Sequence, residues 1–143
     1  MQLSVREVTI NDSEAVAGLT AQLGYKTTVA ATTNLIAEIL SRKDDIALVA
    51  VMDGKIAGWI HAFYAVRLES GHFVEIGGLV VDEQHRGKGI GKMLMAEVKQ
   101  WSRHRQITSL KVRCSTKRLA SHRFYLINGF TELKEQKIFE SKI

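Results

Sequence analysis

LVVDEQHRGKGIGKMLM, residues 79–95, joins an apolar run to an amphipathic one through a basic loop interrupted by glycines. The aliphatic residues ahead of it read as a strand. Behind it, Ile90, Leu94, Val98 and Trp101 recur at helical spacing. The unit is therefore strand, loop, helix, with Gly87, Gly89 and Gly91 interleaved among Arg86, Lys88 and Lys92. A helix start leaves backbone N–H groups unpaired and carries partial positive charge, and glycine lets a ligand approach the backbone closely. The loop suits an anion, although the residues alone also fit a flexible, solvated turn. Two common phosphate loops fail here. The nucleotide-triphosphatase pattern needs Ser or Thr where Met93 stands, and the dinucleotide pattern needs glycine at Lys92 or Leu94.

Outward from this loop, the chain alternates between strand and helix signals. Residues 2–9 alternate as a strand. NDSE (11–14) reads as a helix start with Asn11 as cap, and Gly24 ends that helix. A second helix is expected from about 28 to 41, burying Val29, Leu35, Ile36, Ile39 and Leu40. Asp53-Gly54, between two apolar runs, predicts a hairpin, and Ser70-Gly71 marks a second turn. HFVEIGGLVV (72–81) is a strong strand, in which Gly77-Gly78 marks a bulge or a close approach by substrate. SLKVRCS (109–115) alternates, RLASHRFYLIN (118–128) is helical up to Asn128-Gly129, and FTELKEQKIFESKI (130–143) predicts one or two closing strands. The order β-α-α-β-β-β-α-β-α-β implies an α/β fold with a mixed sheet. Its first half is antiparallel, a parallel pair flanks the loop–helix unit, and helices cover both faces.

At 143 residues and 45% hydrophobic, the chain suits one domain, 1–143, with its own core. No apolar run reaches membrane-spanning length, and the strand-like start differs from a secretory leader, so no membrane partner and a cytoplasmic location are expected. The single Cys114 allows no internal disulfide, and the five histidines show no metal spacing, so no metal is expected. A net charge of +5 favours anions, either nucleic acid or a polyanionic small molecule. No basic tail or recognition-helix pattern supports nucleic acid, which is not expected as a partner.

The stretch 79–95 resembles the cofactor motif of the GNAT superfamily of acyl-CoA N-acyltransferases, in which an apolar strand enters a Q/R-x-x-G-x-G/A loop. SHRFYLINGF (121–130) resembles that family's second landmark, Phe-Tyr shortly before Gly-Phe. AQLGYKT (21–27), the DGKIAGW hairpin and KIFESKI resemble small bacterial members, so the likeness runs through nearly the whole chain in order. It implies the GNAT fold, acetyl-CoA as cosubstrate and direct attack by an amine acceptor on the thioester. It also implies a diphosphate held by Arg86, Gly87, Lys88, Gly89, Ile90, Gly91 and Lys92, and a pantetheine arm paired with the backbone of Leu79, Val80 and Val81. Family members often form homodimers.

Two residues are the candidates for proton transfer. Glu75 is an acid in an otherwise apolar row with Gly77, Leu79 and Val81, either a general base or a structurally paired carboxylate. Tyr125 sits on a polar stripe with Arg118, Ser121, His122 and Asn128, opposite an apolar stripe of Ala120, Phe124 and Ile127. The resemblance makes it the general acid for the leaving thiolate. Many members carry Asn seven residues before that tyrosine, where this chain has Arg118. Arg118 could contact a cofactor phosphate or amide or simply lie exposed, with Ser115 and Thr116 as other polar contacts; Arg118 and His122 are the candidate cofactor contacts here. Cys114 falls on the inward phase with Leu110 and Val112, which suits an inert thiol. A domain that binds acyl-CoA without catalysis is the alternative reading. It would need the loop but neither Glu75 nor Tyr125.

Overall fold

The computed structural model describes residues 2–143, in two compact units, one running to Val112 and the other Arg113–Ile143. The first holds strands β1 (Leu3–Glu7), β2 (Asp45–Met52), β3 (Lys55–Arg67), β4 (Gly71–Val81) and β5 (Leu110–Val112), with helices α1 (Ser13–Gln22), α2 (Val29–Leu40) and α3 (Ile90–His104). The second holds α4 (Leu119–Ile127). The five strands lie side by side in chain order, antiparallel from β1 to β4, with β5 parallel to β4. The expected mixed α/β sheet is present.

Two glycine signals work as read. Asp53 and Gly54 take φ of 50° and 81° in the β2–β3 turn, and Gly24, at φ 94°, ends α1. The start of α1 differs from expectation. Asn11 does not cap it; Asp12 does the work one turn earlier. Its carboxylate accepts from the Thr9 N–H at 2.8 Å and pairs with Arg6 at 2.8 and 2.9 Å. The Arg6 hydrogen bond, acting against desolvation, holds the Asp12 carboxyl below its ordinary value. This contribution to stability is complete above the ordinary carboxylate range and is lost as pH falls through the lower native value.

Sheet faces follow from register. Val49 faces Trp59, and Ala47 faces His61, on the side where Val8 and Ile36 form a small core under α1 and α2. Gly58, one residue over, faces α3. A Cβ there would stand 3.2 Å from Ile90 and 2.8 Å from the Val80 carbonyl oxygen, so helix and strand meet over a bare backbone. Ile90, Leu94, Met95 and Val98 are buried on that side. On α2, Ile36 is buried, whereas Val29, Leu35 and Leu40 are exposed, against expectation. The helix is apolar round more of its circumference than the sheet below can cover.

Two expectations fail in the second unit and near its start. β5 ends at Val112, so Cys114 lies beyond it and is half-buried, not in the inward strand phase. The closing strands over 130–143 do not form, and Leu133, Ile138 and Phe139 are exposed. Alternating side chains mark a potential strand, but a strand persists only where its backbone groups find a partner.

Candidate active site

The β4–α3 connection is built to present backbone. Asp82 opens it: its N–H reaches the Ala57 carbonyl at 2.8 Å, and its carboxylate accepts from the Gln84 N–H, from Gln22 Nε2 and from His85 Nδ1. The backbone bond from Gln84 leads in holding the Asp82 carboxyl low, ahead of opposing desolvation. Gln22, at the end of α1, also accepts from the Glu83 N–H at 3.0 Å, tying that helix to the turn. Beyond this anchor the chain runs free of bulk. Gly87 and Gly89 adopt φ of 78° and 80°, a region side chains rarely occupy. A Cβ at either would meet open space, so the backbone demands glycine there and crowding does not. Gly89 caps α3, and the first backbone bond runs from the Met93 N–H to the Gly89 carbonyl at 3.0 Å. The N–H groups of Ile90, Gly91 and Lys92 precede it, at the positive end of a 15-residue helix. Arg86, Lys88 and Lys92 are exposed around them.

β4 supplies the second element. Its ladder with β5 covers Val74–Ile76 and ends at Ile76 opposite Val112. From Gly77 to Val81, among the described residues, β4 pairs only with β3, leaving an open edge. Because the Asp82 N–H bonds Ala57, alternation turns the polar groups of Val80 toward β3 and those of Leu79 and Val81 toward the open edge. The three residues grouped in the sequence thus separate: Leu79 and Val81 offer backbone to an extended ligand, and Val80 does not. Such an edge accepts an added chain by main-chain hydrogen bonding.

The register also moves Glu75. His61 pairs with Gly78 but Ala62 with Ile76, so Gly77 is an extra residue and β4 bulges there, as the glycine pair indicated. The bulge reverses side-chain parity. Glu75 lies opposite Phe63, on the face shared by Trp59 and His61, and not in a row with Leu79 and Val81. A Cβ on Gly78 would stand 2.7 Å from the Trp59 ring, and one on Gly77 would stand 3.0 Å from His61 Nδ1. A side chain at position 78 would displace the Trp59 ring, and one at 77 would press on His61. Glu75 is half-buried.

The sequence did not single out His61, Asp45 or Trp59. His61 Nε2 lies 2.8 Å from an oxygen of Asp45, whose side chain is 5% exposed and also accepts from Arg42 at 2.9 Å. Burial opposes ionisation of Asp45, but the bonds from His61 and Arg42 outweigh it and keep its carboxyl below the ordinary value. Trp59 and His61 form one wall of a cavity of about 200 Å³, closed by Val16, Thr20, Thr32 and Ile36 of α1 and α2. The Trp59 indole N–H is shielded from solvent and has no hydrogen-bond partner among the described residues. The only sequence signal was a histidine two residues beyond a tryptophan on an alternating strand. Tyr25, Asn34, Glu38, Tyr64 and Glu69, polar residues on and around the first two helices and the β3–β4 turn, do not line this cavity.

In the second unit, Tyr125 packs edge-on between Phe124 and Phe130, with ring centroids 5.3 and 5.4 Å away. Burial, with a smaller push from Cys114, raises its phenol to about 12 against an opposing pull from Arg118. His122 Nε2 lies 2.7 Å from the Ser115 carbonyl, so the ring's polar edge is engaged within the unit. Arg118 is half-buried at the N-cap of α4. Ile127, expected on the apolar stripe, is 75% exposed, so that stripe narrows to Phe124. Among the described residues, no cluster of three or more histidine, cysteine or acidic side chains could hold a metal ion.

A strand–glycine loop–helix unit beside an open sheet edge suits an extended ligand with an anionic end. A family model described as "Acetyltransferase (GNAT) family" matches residues 16–130, and the chain belongs to that family. N-acetylaspartate synthetase of Xenopus tropicalis is 32% identical over 82 residues, 57% of this chain and 29% of that protein, so the match spans under a third of the relative. Among solved structures, AAC(6')-Iy in complex with the bisubstrate analog CoA-S-monomethyl-acetylneamine superposes with TM-score 0.88 at 21% identity, covering all of both chains. Glucosamine-6-phosphate N-acetyltransferase from Arabidopsis thaliana gives 0.84 at 21%, covering 99% of this chain and 100% of that one. At these identities the likeness is one of fold.

Proposed function

We propose that this protein is an acetyl-CoA-dependent N-acetyltransferase that moves the acetyl group to a primary amine by direct attack. The observation that carries the reading is the open β4 edge running into the glycine-capped start of α3. The diphosphate of acetyl-CoA binds the N–H groups at Ile90–Lys92 with Arg86 and Lys88, and the pantetheine arm pairs with Leu79 and Val81. A N–H on that edge also polarises the thioester carbonyl, a donor worth about 3–4 kcal/mol in other acyl transfers. An alkylammonium with pKa near 10.4 is neutral in about one molecule in a few thousand at pH 7, so a base is needed. Glu75, on the Trp59–His61 face, takes that role on ammonium or amine. Tyr125 hydrogen-bonds the departing sulfur. The two units are proposed to serve one domain, since the family match crosses both.

The acceptor is proposed to be small. The cavity of about 200 Å³ is walled mainly by Val16, Leu35, Ile36, Ile39 and Trp59, below the ~300–1,000 Å³ that drug-sized ligands occupy. It suits a compact amine with an apolar body better than a polycation. Thiol release from acetyl-CoA, followed with 2-phenylethylamine, spermidine, L-aspartate, glucosamine 6-phosphate and an aminoglycoside, is expected to show turnover, fastest with 2-phenylethylamine. Acetyl-CoA binding by calorimetry without thiol release for any amine would instead support a non-catalytic acyl-CoA-binding domain.

A further inference from the structure

We propose that His61, oriented by Asp45, is a second proton acceptor for the attacking amine. The inference rests on acetyl transfer to an amine but concerns residues that neither the sequence motifs nor the family match assigns.

The geometry is that of a charge-oriented imidazole. Asp45 is almost fully covered and ionised, and it lies 2.8 Å from His61 Nε2. A carboxylate can only accept, so Nε2 carries the hydrogen and Nδ1 presents its lone pair. That nitrogen faces the bulge: a Cβ on Gly77 would stand 3.0 Å from it. Glycine at the bulge therefore places no side chain over Nδ1, on the β4 face where Glu75 also lies. The same imidazole lines the α1–α2 cavity, and in the proposed reaction an amine whose body fills that cavity brings its nitrogen to Nδ1. Arg42 bonds the other Asp45 oxygen at 2.9 Å and fixes the carboxylate. Glu38 and Asp44 also act on Arg42, and Asp44 is itself paired with Arg105 at 3.0 Å.

Two bases suit the stoichiometry. An alkylammonium loses two protons on becoming an amide. His61 Nδ1 takes the first, freeing the nitrogen lone pair. That pair forms the C–N bond, and the carbonyl π electrons move to oxygen. Glu75 takes the second proton from the resulting N–H. The oxyanion then collapses, the C–S bond breaks, and coenzyme A leaves as a thiolate held by the Tyr125 hydroxyl. The thiolate takes one proton and solvent the other, so the sum is ammonium plus thioester giving amide, thiol and one proton.

The test uses the full chain with acetyl-CoA and whichever amine of the panel above is acetylated fastest. His61→Ala is expected to lower kcat about 10²-fold, at the low end of what general bases contribute, with KM for acetyl-CoA unchanged. Added imidazole is expected to restore activity in proportion to its free base. Asp45→Asn is expected to cost about 10-fold in the wild-type background and little in His61→Ala, because the carboxylate acts through the ring. Full activity in His61→Ala overturns the proposal. So does a loss that imidazole leaves unchanged, or an Asp45→Asn loss of equal size in both backgrounds. If wild-type protein acetylates no amine, the activity reading has failed; if it does and His61→Ala matches it, only the dyad has.

Discussion

Replacing Tyr125 by phenylalanine is expected to lower kcat about 10²-fold while leaving the KM for acetyl-CoA within a factor of two. The phenol is held between two aromatic rings and raised to about 12, chiefly by burial. An unperturbed phenol, near pKa 10, would be a proton donor roughly matched to a thiolate. The raised value alters the chemistry. At about 12 the phenol is a weaker acid than the thiol it serves, for which the ordinary value is about 8.5. In the proposed reaction Tyr125 would therefore hydrogen-bond the negative charge gathering on sulfur, and the thiol would acquire its proton from solvent on release. A hydrogen bond to a charged partner is worth about 1.5–3 kcal/mol, which sets the expected fold-change. A pH profile separates the two roles. A phenol at about 12 gives no alkaline fall in kcat through pH 10. A fall centred near 10 that disappears in Tyr125→Phe would mean that the phenol is an ordinary proton source.

Arg86→Ala and Gly89→Val are each expected to raise the Kd for acetyl-CoA about 10–100-fold, with kcat at saturating cosubstrate nearly unchanged. Arg86 is exposed beside the amides opening α3, so its loss removes one charge-assisted contact, about 1.5–3 kcal/mol. Gly89 sits at φ 80°, where a β-branched residue is strained by about 1–3 kcal/mol although nothing crowds it. Relief of that strain turns the cap and its amides away from the ligand. The two variants differ in one respect. Arg86→Ala also flattens the salt dependence of binding, because a formal charge is gone, and Gly89→Val does not. Binding that is unaltered in both would place the diphosphate elsewhere.

Much of this architecture could be read from the sequence because glycine and hydrophobic period act locally. Gly24, Gly54, Gly87, Gly89 and Gly129 all take positive φ, at the turns and helix ends where the sequence placed breaks. The apolar face of α3 is the one that its spacing indicated. The losses come from two bulges. In the β2–β3 hairpin, Met52 pairs with Lys55, and an unbroken ladder would set His61 against Ile46. An extra residue at Ala57 sets it against Ala47 instead, which brings Asp45 to the same face. The Asp45–His61 pair could not be seen without that shift. The bulge at Gly77 likewise carried Glu75 to the other face from Leu79 and Val81, although the glycine pair itself gave the right signal. A one-residue slip reverses every side chain beyond it, and no local pattern records where it falls. The missing closing strand and the exposed Leu35 share a different cause: each depends on a partner surface that a periodicity does not specify.

The most direct test follows backbone amides while acetyl-CoA is titrated into 15N-labelled protein. Saturable shifts are expected, concentrated at Leu79, Val81 and residues 87–92, with Val80 among the least affected of that strand. Saturable binding that left the amides of Gly89, Ile90, Gly91 and Lys92 unmoved would contradict this binding site.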